Sequence, residues 1–553
     1  MQTRPFDPGQ ALQQALALHR QGQLRDAEKI YTRVLKASPG NFDALHLLAL
    51  VKADAKQMGE AYRLMSAALK INPNIPDVWA NYANVLHALK RNEEALQAID
   101  KALALRPGDP GLMQQRGNAL LTLNRPADAL PCFEGGANAN SADPDGLNGR
   151  GLALAALGRA SEAFAAFEAA LANAPLRADI VYNRANALLA LDRLDEAVAG
   201  FDHVLARAPN HAKAWINRGR ALQNLNRPGE AVPCFEKAIA LDRDDADAHF
   251  NLALALLSTG DYERGFREYE WRWKRTGMPP RKSSKPLWLG EFPPNGRTIL
   301  LQAEQGLGDT IQFARYIPLL ARMGAKVALV VQPELKALLS GVAGVTSCQA
   351  RGEPLPAFDL TCPMGSLPLA LKTTLATIPT DIPYLAAKDR RVAQWRERLA
   401  SLAGKRVAIA WAGHARHIND RNRSLDLDPL APLFALPGLS FVSIQRDLRD
   451  GDAEKLARIP NLTHVGGELN DMMDTAAVLA VTDVTLAVDT SVVHLAGALG
   501  RAAWVMLPFA ADWRWGVSDE TNAWYPQARL FRQSALGDWP GVIARVRDAL
   551  TQF

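Results

Sequence analysis

The sequence has no stretch that approaches about 18 uninterrupted apolar residues, the length that a membrane-spanning helix requires. Its N-terminal segment lacks an apolar core followed by a small-residue cleavage site, which a secretory signal would carry. Only four cysteines occur, without CxxC spacing, which predicts buried thiols in a reducing compartment. The net charge of +5 is small for 553 residues and no basic block occurs, so nucleic-acid and membrane-surface partners are not expected. These absences predict a soluble, cytoplasmic protein.

The first half of the chain repeats with a period of 34 residues. Prolines occupy this spacing at positions 39, 73, 107, 175 and 209, and the two remaining slots between 39 and 243 hold Ser141 and Arg243. Twelve residues before each slot stands an alanine, at 27, 61, 95, 129, 163, 197 and 231. Eight residues before each slot stands a large residue: Tyr31, Met65, Ile99, Phe133, Phe167, Phe201 and Phe235. A repeated small residue beside a repeated large one predicts pairs of closely crossing helices.

This pattern resembles the tetratricopeptide repeat, over about residues 8 to 276. The last unit diverges, because Gly265 replaces the alanine and an aromatic-rich helix follows. A terminal repeat that meets a different neighbour is expected to diverge in this way. The resemblance implies a helical superhelix of about eight repeats over 1–276, followed by a Pro/Ser-rich linker over 277–285.

Beyond the linker, short β-branched runs alternate with helical stretches, which predicts parallel sheets covered by helices. We expect two Rossmann-like lobes, at 286–388 and 389–553. A final helix is expected to close the chain by packing back on the first lobe. The predicted strands are 298–304, 326–331, 406–413, 439–445, 484–489 and 502–508.

The first candidate site is "QAEQGLGDTIQFARYIP", where a predicted strand runs into Gly306, Gly308 and Asp309 and a helix begins at Thr310. At the carboxyl end of a parallel strand, Asp309 would serve as a general base. The alternative is a tight turn in which Asp309 is only the helix N-cap.

The second candidate site is "AVDTSVVHLAGALG", where a buried strand delivers Asp489, Thr490 and Ser491 to the start of a helix that carries His494. The free amides of that helix would bind an anion, and His494 would take part in catalysis. The alternative is a capped helix with a hydrogen-bonded histidine.

A third stretch, residues 411–427, offers Arg416, Arg421, Arg423 and Ser424 after another strand. Arginine forks suit phosphate oxygens, although a charged loop is usually only solvated. The letters DLD at 426–428 resemble a metal-binding motif, but they alternate with leucine and are interpreted as surface. No Cys/His cluster suggests a metal.

Together, "EQGLGDTIQFARY", "NDRNRS" and "DTSVVHLAGALG" resemble tetratricopeptide-linked glycosyltransferases of the two-Rossmann GT-B architecture and are similar to bacterial heptosyltransferases. The resemblance implies that Asp309 is the acceptor base. It also implies that Asp489, Thr490, Ser491 and His494 bind the diphosphate of a nucleotide-sugar donor, without a metal. The chain departs from the heptosyltransferase pattern at Ser491, where a glycine is common, and in using arginines where a lysine is usual.

The sixth position of several repeats carries an amide, at Asn81, Gln115, Asn183, Asn217 and Asn251. Stacked amides would form a ladder that pairs with an extended peptide, or would merely tie adjacent helices together. By resemblance to O-GlcNAc transferase, the ladder binds an acceptor. The ladder is interrupted at Leu47 and Gly149.

These patterns predict a bacterial glycosyltransferase that uses its array to select a protein acceptor, such as flagellin by resemblance. Transfer onto a lipid or polysaccharide glycan is the alternative among enzymes. A non-catalytic adaptor with a degenerate GT-B domain is the alternative outside them.

Overall fold

The computed structural model describes residues 6–139, 143–277, 283–416, 419–517 and 520–553. The chain forms two compact units, Met1–Pro209 and Asn210–Phe553. The Ser141 slot of the repeat and the centre of the predicted linker, 278–282, lie outside the described residues.

The first unit is entirely helical over its described residues, and consecutive helices pair as the repeat predicts. Its helices are α1 Pro8–Arg20, α2 Leu24–Ala37, α3 Phe42–Asp54, α4 Met58–Ile71, α5 Pro76–Ala88, α6 Asn92–Leu105, α7 Pro110–Thr122, α8 Pro126–Ala139, α9 Pro144–Ala156, α10 Ala160–Asn173, α11 Ala178–Ala190 and α12 Leu194–Arg207.

The repeat continues into the second unit as α13 Ala212–Asn224, α14 Pro228–Leu241, α15 Ala246–Ser258 and α16 Tyr262–Tyr269, followed by a 3-10 turn over Glu270–Lys274. The repeated alanines are buried in every unit, and the large residues beside them are at most 4% exposed. The predicted close helix crossings are therefore confirmed.

The large residues at 133, 167 and 235 pack on glycines of the preceding helix. A Cβ added to Gly151, for example, would lie 2.4 Å from the Phe167 ring, and one added to Gly219 would lie 2.7 Å from that of Phe235. These glycines, with alanines at the same position of other repeats, form a second small-residue column that the sequence analysis did not identify.

Another repeated feature is the residue that joins the two helices of each pair, which has a positive φ of 56° to 85°. This left-handed conformation favours glycine and asparagine, and the column holds both types together with lysine and aspartate. Its members are Gly22, Lys56, Lys90, Asn124, Gly158, Asp192, Asn226 and Gly260.

The rest of the second unit contains two parallel sheets. The first has the order β3-β2-β1-β4 and is built from β1 Thr298–Gln302, β2 Lys326–Val331, β3 Val345–Ala350 and β4 Leu360–Pro363. The second has the order β10-β9-β8-β5-β6-β7 and is built from β5 Lys405–Ala410, β6 Leu439–Ser443, β7 Leu462–His464, β8 Val484–Val488, β9 Ala503–Leu507 and β10 Ala528–Arg532.

Helices connect and cover these strands. They are α17 Leu307–Phe313, α18 Ile317–Arg322, α19 Pro333–Leu339, α20 Leu367–Ala370, α21 Asp389–Arg398, α22 Asp420–Arg423, α23 Ala431–Phe434, α24 Asp452–Leu456, α25 Met472–Ala480, α26 Ser491–Ala498 and α27 Trp539–Thr551. No helix among the described residues is long and apolar enough to cross a membrane.

The six predicted strands are present, whereas β3, β4, β7 and β10 were not predicted. The expectation that the last helix packs on the first lobe is wrong. Val542, Val546 and Leu550 of α27 are instead buried in one apolar cluster with Val407, Phe531 and other residues of the second sheet. The helix follows β10 directly and its apolar face covers the nearest open sheet surface.

Candidate active site between the two sheets

Asp309 lies in the first turn of α17, at the carboxyl end of β1. Gly306 is the N-cap, and its backbone N–H donates to Asp309 Oδ2 at 2.9 Å. The helix therefore begins at Leu307 rather than at the predicted Thr310, and Asp309 closes the cap from the third helical position. Its side chain remains 25% exposed. Asp309 thus takes part in capping, as the alternative interpretation proposed, and still reaches solvent.

Gly308 brings α17 of the first sheet against α26 of the second. A Cβ at Gly308 would lie 2.8 Å from His494 Cδ2 and 3.5 Å from Ser491 Cα. A side chain at this position would force the helices apart, so the close approach requires glycine. Two segments predicted separately as candidate sites, 306–309 and 489–494, therefore meet.

His494 is buried beneath that contact. Its Nδ1 lies 3.2 Å from Tyr525 Oη, and its ring stacks on Trp515 with a centroid distance of 5.4 Å. Burial, with the nearby guanidinium groups of Arg514 and Arg315, holds the pKa of His494 well below its usual value. The imidazole is therefore neutral, and it forms part of the wall that joins the two helices.

Asp489 directly follows β8 and is half-buried. The region of polar residues around the starts of α17 and α26 is called the cleft below. Burial and the neighbouring Asp512 carboxylate raise the pKa of Asp489 to about 6, an effect that Trp515, Arg423 and Arg514 partly offset. A carboxyl group with this pKa sits close to the point where it loses its charge near neutral pH.

Thr490 is the N-cap of α26, but its side chain makes no capping hydrogen bond. The predicted capped helix is therefore not capped by a side chain, and Thr490 Oγ1 is buried without a hydrogen-bond partner. Ser491 begins the helix and is half-buried.

The residues of the arginine-rich loop differ in exposure and in the groups that they contact. Arg423 Nη1 donates to the Asp489 carbonyl at 3.0 Å, and the guanidinium packs on Gly413. Ser424 is buried within the loop, where its Oγ donates to Asp420 at 2.6 Å and accepts from Gly413 N at 3.0 Å. Arg416 and Arg421 are exposed. The structure therefore brings Arg423 to the cleft and leaves Ser424 as a support of the loop.

The sequence analysis missed the residues that lie between Asp309 and Asp489. Asp512, Arg514 and Trp515 follow β9, around a 3-10 turn over Trp513–Trp515. Arg514 Nη1 donates to Asp512 Oδ1 at 2.8 Å, and its Nη2 donates to Asp309 Oδ1. The available signal was the string "DWRW" after an apolar strand, at the edge where parallel sheets carry their ligands.

Three polar atoms of this region are buried and lack a hydrogen-bond partner within the described part of the chain: Arg423 Nε, Thr490 Oγ1 and Gln312 Nε2. Arg423 Nε lies 3.9 Å from Asp420 Oδ1, and the Trp515 indole hydrogen-bonds to Asp489. Two of the three atoms are donors, and the Thr490 hydroxyl can donate as well. Buried polar groups are normally paired, so these atoms mark the region around Asp489 and α17 as a candidate site.

The last repeat contributes directly to the first-sheet side of this region. Tyr269 Oη accepts from Gln305 Nε2 at 2.7 Å, and the pKa of Tyr269 is raised to about 12 by burial and by Asp309. Arg272, 3% exposed, donates to Glu304 at 3.0 Å and to Ser366 at 2.8 Å. The aromatic end of the array is thus built into the α/β region, as its divergent sequence suggested.

In the first unit, side chains of the amide ladder hydrogen-bond between adjacent repeats. Asn183 Nδ2 donates to Asn148 Oδ1 at 2.9 Å, and Asn81 Nδ2 lies 3.2 Å from His46 Nε2. Gln115 Oε1 is buried without a partner among the described residues. These contacts match the alternative in which amides tie helices together, whereas Gln115 keeps an acceptor available.

In the second unit, the ladder amide of Asn217 accepts from Arg220 Nη1 at Oδ1 over 3.4 Å, and the backbone carbonyl of Asn251 accepts from Gln223 at 3.4 Å.

A polar cavity of about 340 Å³ opens on the first unit near the interrupted ladder position Gly149. Its lining includes amides, carboxylates and one arginine: Gln114, Asn118, Asp145, Asn148, Gly149, Leu152, Arg177 and Asp179. Arg177 pairs with both carboxylates, at 2.8 Å to Asp145 and 2.7 Å to Asp179.

Within the described residues, no group of three or more His, Cys, Asp or Glu side chains is placed to hold a metal ion. The DLD carboxylates Asp426 and Asp428 are exposed, and Asp428 pairs with Lys455 at 2.7 Å. Cys132, Cys234 and Cys362 are buried, and Cys348 is half-buried.

These features define a helical repeat array continued by a parallel α/β region with a polar cleft. Sequence models of the tetratricopeptide repeat match residues 115–178 and 216–275, and a second one matches 176–244. A model of the anaphase-promoting complex, cyclosome, subunit 3, matches 20–102. The helical half of the chain is therefore a tetratricopeptide-repeat array.

Protein FlbA of Caulobacter vibrioides is 26% identical over 334 residues, which cover 55% of each chain. The chain thus spans about half the length of that curated relative. A tetratricopeptide repeat protein from Parabacteroides merdae is 18% identical with a TM-score of 0.39, covering 45% of this chain and 98% of its own. YrrB, described as a TPR protein with an unusual peptide-binding site, is 24% identical with a TM-score of 0.28, covering 33% of this chain and 95% of its own.

Proposed function

We propose that the protein is a GT-B glycosyltransferase that transfers a sugar from a nucleotide-sugar donor to a hydroxyl of a protein selected by the array. The observation that carries this proposal is the presence next to Asp489 of two buried polar atoms without a hydrogen-bond partner in the described residues, Arg423 Nε and Thr490 Oγ1. A diphosphate is rich in acceptor oxygens and carries the negative charge that the Arg423 guanidinium would stabilise.

The start of α26 supports the same assignment. Its first backbone N–H groups have no side-chain cap at Thr490, so they remain able to bind an oxyanion. When the sugar–phosphate bond breaks, negative charge grows on the leaving phosphate. Arg423 and the α26 amides would stabilise this charge without a metal.

Asp309 suits the role of acceptor base because its carboxylate remains partly exposed at the opposite side of the cleft. In the proposed reaction, the acceptor oxygen attacks the anomeric carbon, the bond to the phosphate breaks, and Asp309 receives the hydroxyl proton. Neutral His494 fixes the contact between α17 and α26 and is not needed as the base.

Two features support a protein acceptor. Tyr269 of the last repeat hydrogen-bonds to Gln305, four residues before Asp309, so the array reaches the segment that carries the base. The cavity near Gly149 offers amide donors and acceptors on the array itself. Transfer onto a lipid or polysaccharide glycan would use the same cleft without requiring the array.

The test is a panel of nucleotide sugars screened by thermal shift with the full chain. A donor at 100 times its Kd should stabilise the folded protein by about 2.7 kcal/mol. Arg423→Ala should abolish the shift. Arg501→Ala is the matched control, because Arg501 is half-buried in the same unit and donates to the Thr482 carbonyl. No shift with any donor, or an equal shift after Arg423→Ala, would contradict the proposed pocket.

Incubation of the identified donor with candidate acceptors, followed by intact-mass measurement, separates the remaining functions. A mass increase equal to one sugar on a protein supports the proposal. Donor binding with neither transfer nor hydrolysis would instead favour a non-catalytic adaptor.

A further inference from the structure

Arg514 is a buried cation of the cleft that is held by several side chains. Its side chain is 8% exposed, and its three nitrogens donate to three different side chains. Nε donates to Gln312 Oε1, Nη1 to Asp512 Oδ1 at 2.8 Å, and Nη2 to Asp309 Oδ1. Each of its three nitrogens is thus engaged by a neighbouring side chain, so the guanidinium holds these neighbours in place.

The Asp309 carboxylate is held from two sides. Oδ2 accepts from Gly306 N on its own helix, and Oδ1 accepts from Arg514 on the facing loop. The terminal torsion of an aspartate is otherwise broad, so either donor alone would leave the carboxylate free to rotate. The two donors together define one orientation.

Arg514 is itself firmly placed. Its guanidinium lies 4.4 Å from the Trp513 ring centroid, and its carbonyl accepts from Asn522 Nδ2. The Asp512 and Asp309 carboxylates raise its pKa, so the cation persists at all working pH values. Its partners Asp309 and Gln312 belong to α17, whereas Asp512 belongs to the loop after β9.

We propose that Arg514 is a positioning residue that orients Asp309 toward the acceptor hydroxyl. This inference rests on the proposed function, because it assigns a role within the transfer reaction. Arginine suits the role because its planar fork addresses three acceptors at fixed angles, which a lysine ammonium cannot do.

The test is a double-mutant cycle in the full-length protein, with Arg514→Lys, Asp309→Asn and the combination. Lysine keeps the charge that the two carboxylates require. We expect Arg514→Lys to lower kcat by about 100-fold, since a misplacement of about 1 Å costs that much, and to leave the donor-induced thermal shift unchanged. In the Asp309→Asn background, where residual transfer is followed over hours by mass spectrometry, Arg514→Lys should have no further effect.

Arg501→Lys is the control and should leave kcat unchanged, because its partner is a backbone carbonyl away from Asp309. If Arg514→Lys does not fold, Asp512→Asn replaces it in the test, because this variant weakens the hydrogen bond that holds the Arg514 guanidinium. We expect it to give a smaller loss of kcat, which should also disappear in the Asp309→Asn background. Equal losses in both backgrounds, or a loss confined to donor binding, would overturn the positioning role while leaving the proposed function intact. Absence of transfer by the wild-type protein with every donor would overturn both.

Discussion

Replacing Asp489 by asparagine should make the protein more stable at neutral and alkaline pH. The substitution keeps the shape of the side chain and removes a charge that burial and Asp512 oppose. A charged group that binds a ligand but lowers the free energy of unfolding is expected at a functional site.

The magnitude follows from the pKa of Asp489, which is about 6 in the folded chain against an ordinary value of 3.8. Well below the ordinary pKa of 3.8, the carboxyl is protonated in both states and does not change the stability. As the pH rises, the unfolded chain ionises first, and stability falls until the folded carboxyl also ionises near pH 6. A difference of about two units corresponds to roughly 3 kcal/mol, fully expressed at pH 8 and about half expressed at pH 5.

Urea unfolding followed by tryptophan fluorescence measures this difference. Trp79 is the single tryptophan outside the second unit, so the signal reports chiefly on that unit. Asp450→Asn is the control, because Asp450 is exposed and its substitution should change stability by less than about 0.5 kcal/mol. The reasoning is wrong if Asp489→Asn is no more stable than wild type at pH 8, or if its gain is the same at both pH values.

The remaining predictions concern packing and organisation. Gly308→Ala should cost about 1–3 kcal/mol in urea unfolding, because its methyl group would overlap His494, whereas Gly229→Ala enters open space and should be neutral or gain up to about 1 kcal/mol. Equal effects would contradict the close helix contact. Tyr262→Phe should cost about 1–3 kcal/mol by removing the acceptor of Trp524 Nε1; an unchanged stability would count against that bond. A chain lacking residues 1–209 should keep the donor-induced thermal shift and lose protein glycosylation, and undiminished transfer by it would remove the array from acceptor selection.

The repeat and the strands with long apolar runs could be predicted from the sequence, because a period of 34 residues and a buried strand both leave dense apolar signals. The strands that were missed leave weaker ones. β7 has only three residues, all half-buried, and β3 mixes polar and apolar residues without a fully buried position. Their strand conformation comes from pairing with β6 and β2, which is a tertiary effect.

The parts of the candidate site that could be predicted from the sequence are the turns between a strand and a helix, at Gly308 and Asp489. Arg514 was not predicted because the string "DWRW" places it after an apolar strand but does not distinguish a buried ion-paired arginine from an exposed one. Its partners Asp309 and Gln312 lie about 200 residues away in the chain. Only the packing of α17 against the second sheet brings these groups together.

The 34-residue period runs past Pro209 without a break, although the second compact unit begins at Asn210. Helices α13–α16 are therefore repeats by sequence and parts of the α/β unit by structure; Asn226, for instance, donates to the Val517 carbonyl at 2.9 Å. The number of repeats before position 209 can consequently vary independently of the α/β unit. Whole repeats can be inserted, removed or exchanged before position 209 while every helix that supports Tyr269 and Asp309 keeps its own sequence. Under the proposed function, acceptor preference could therefore change without a change in the sugar chemistry.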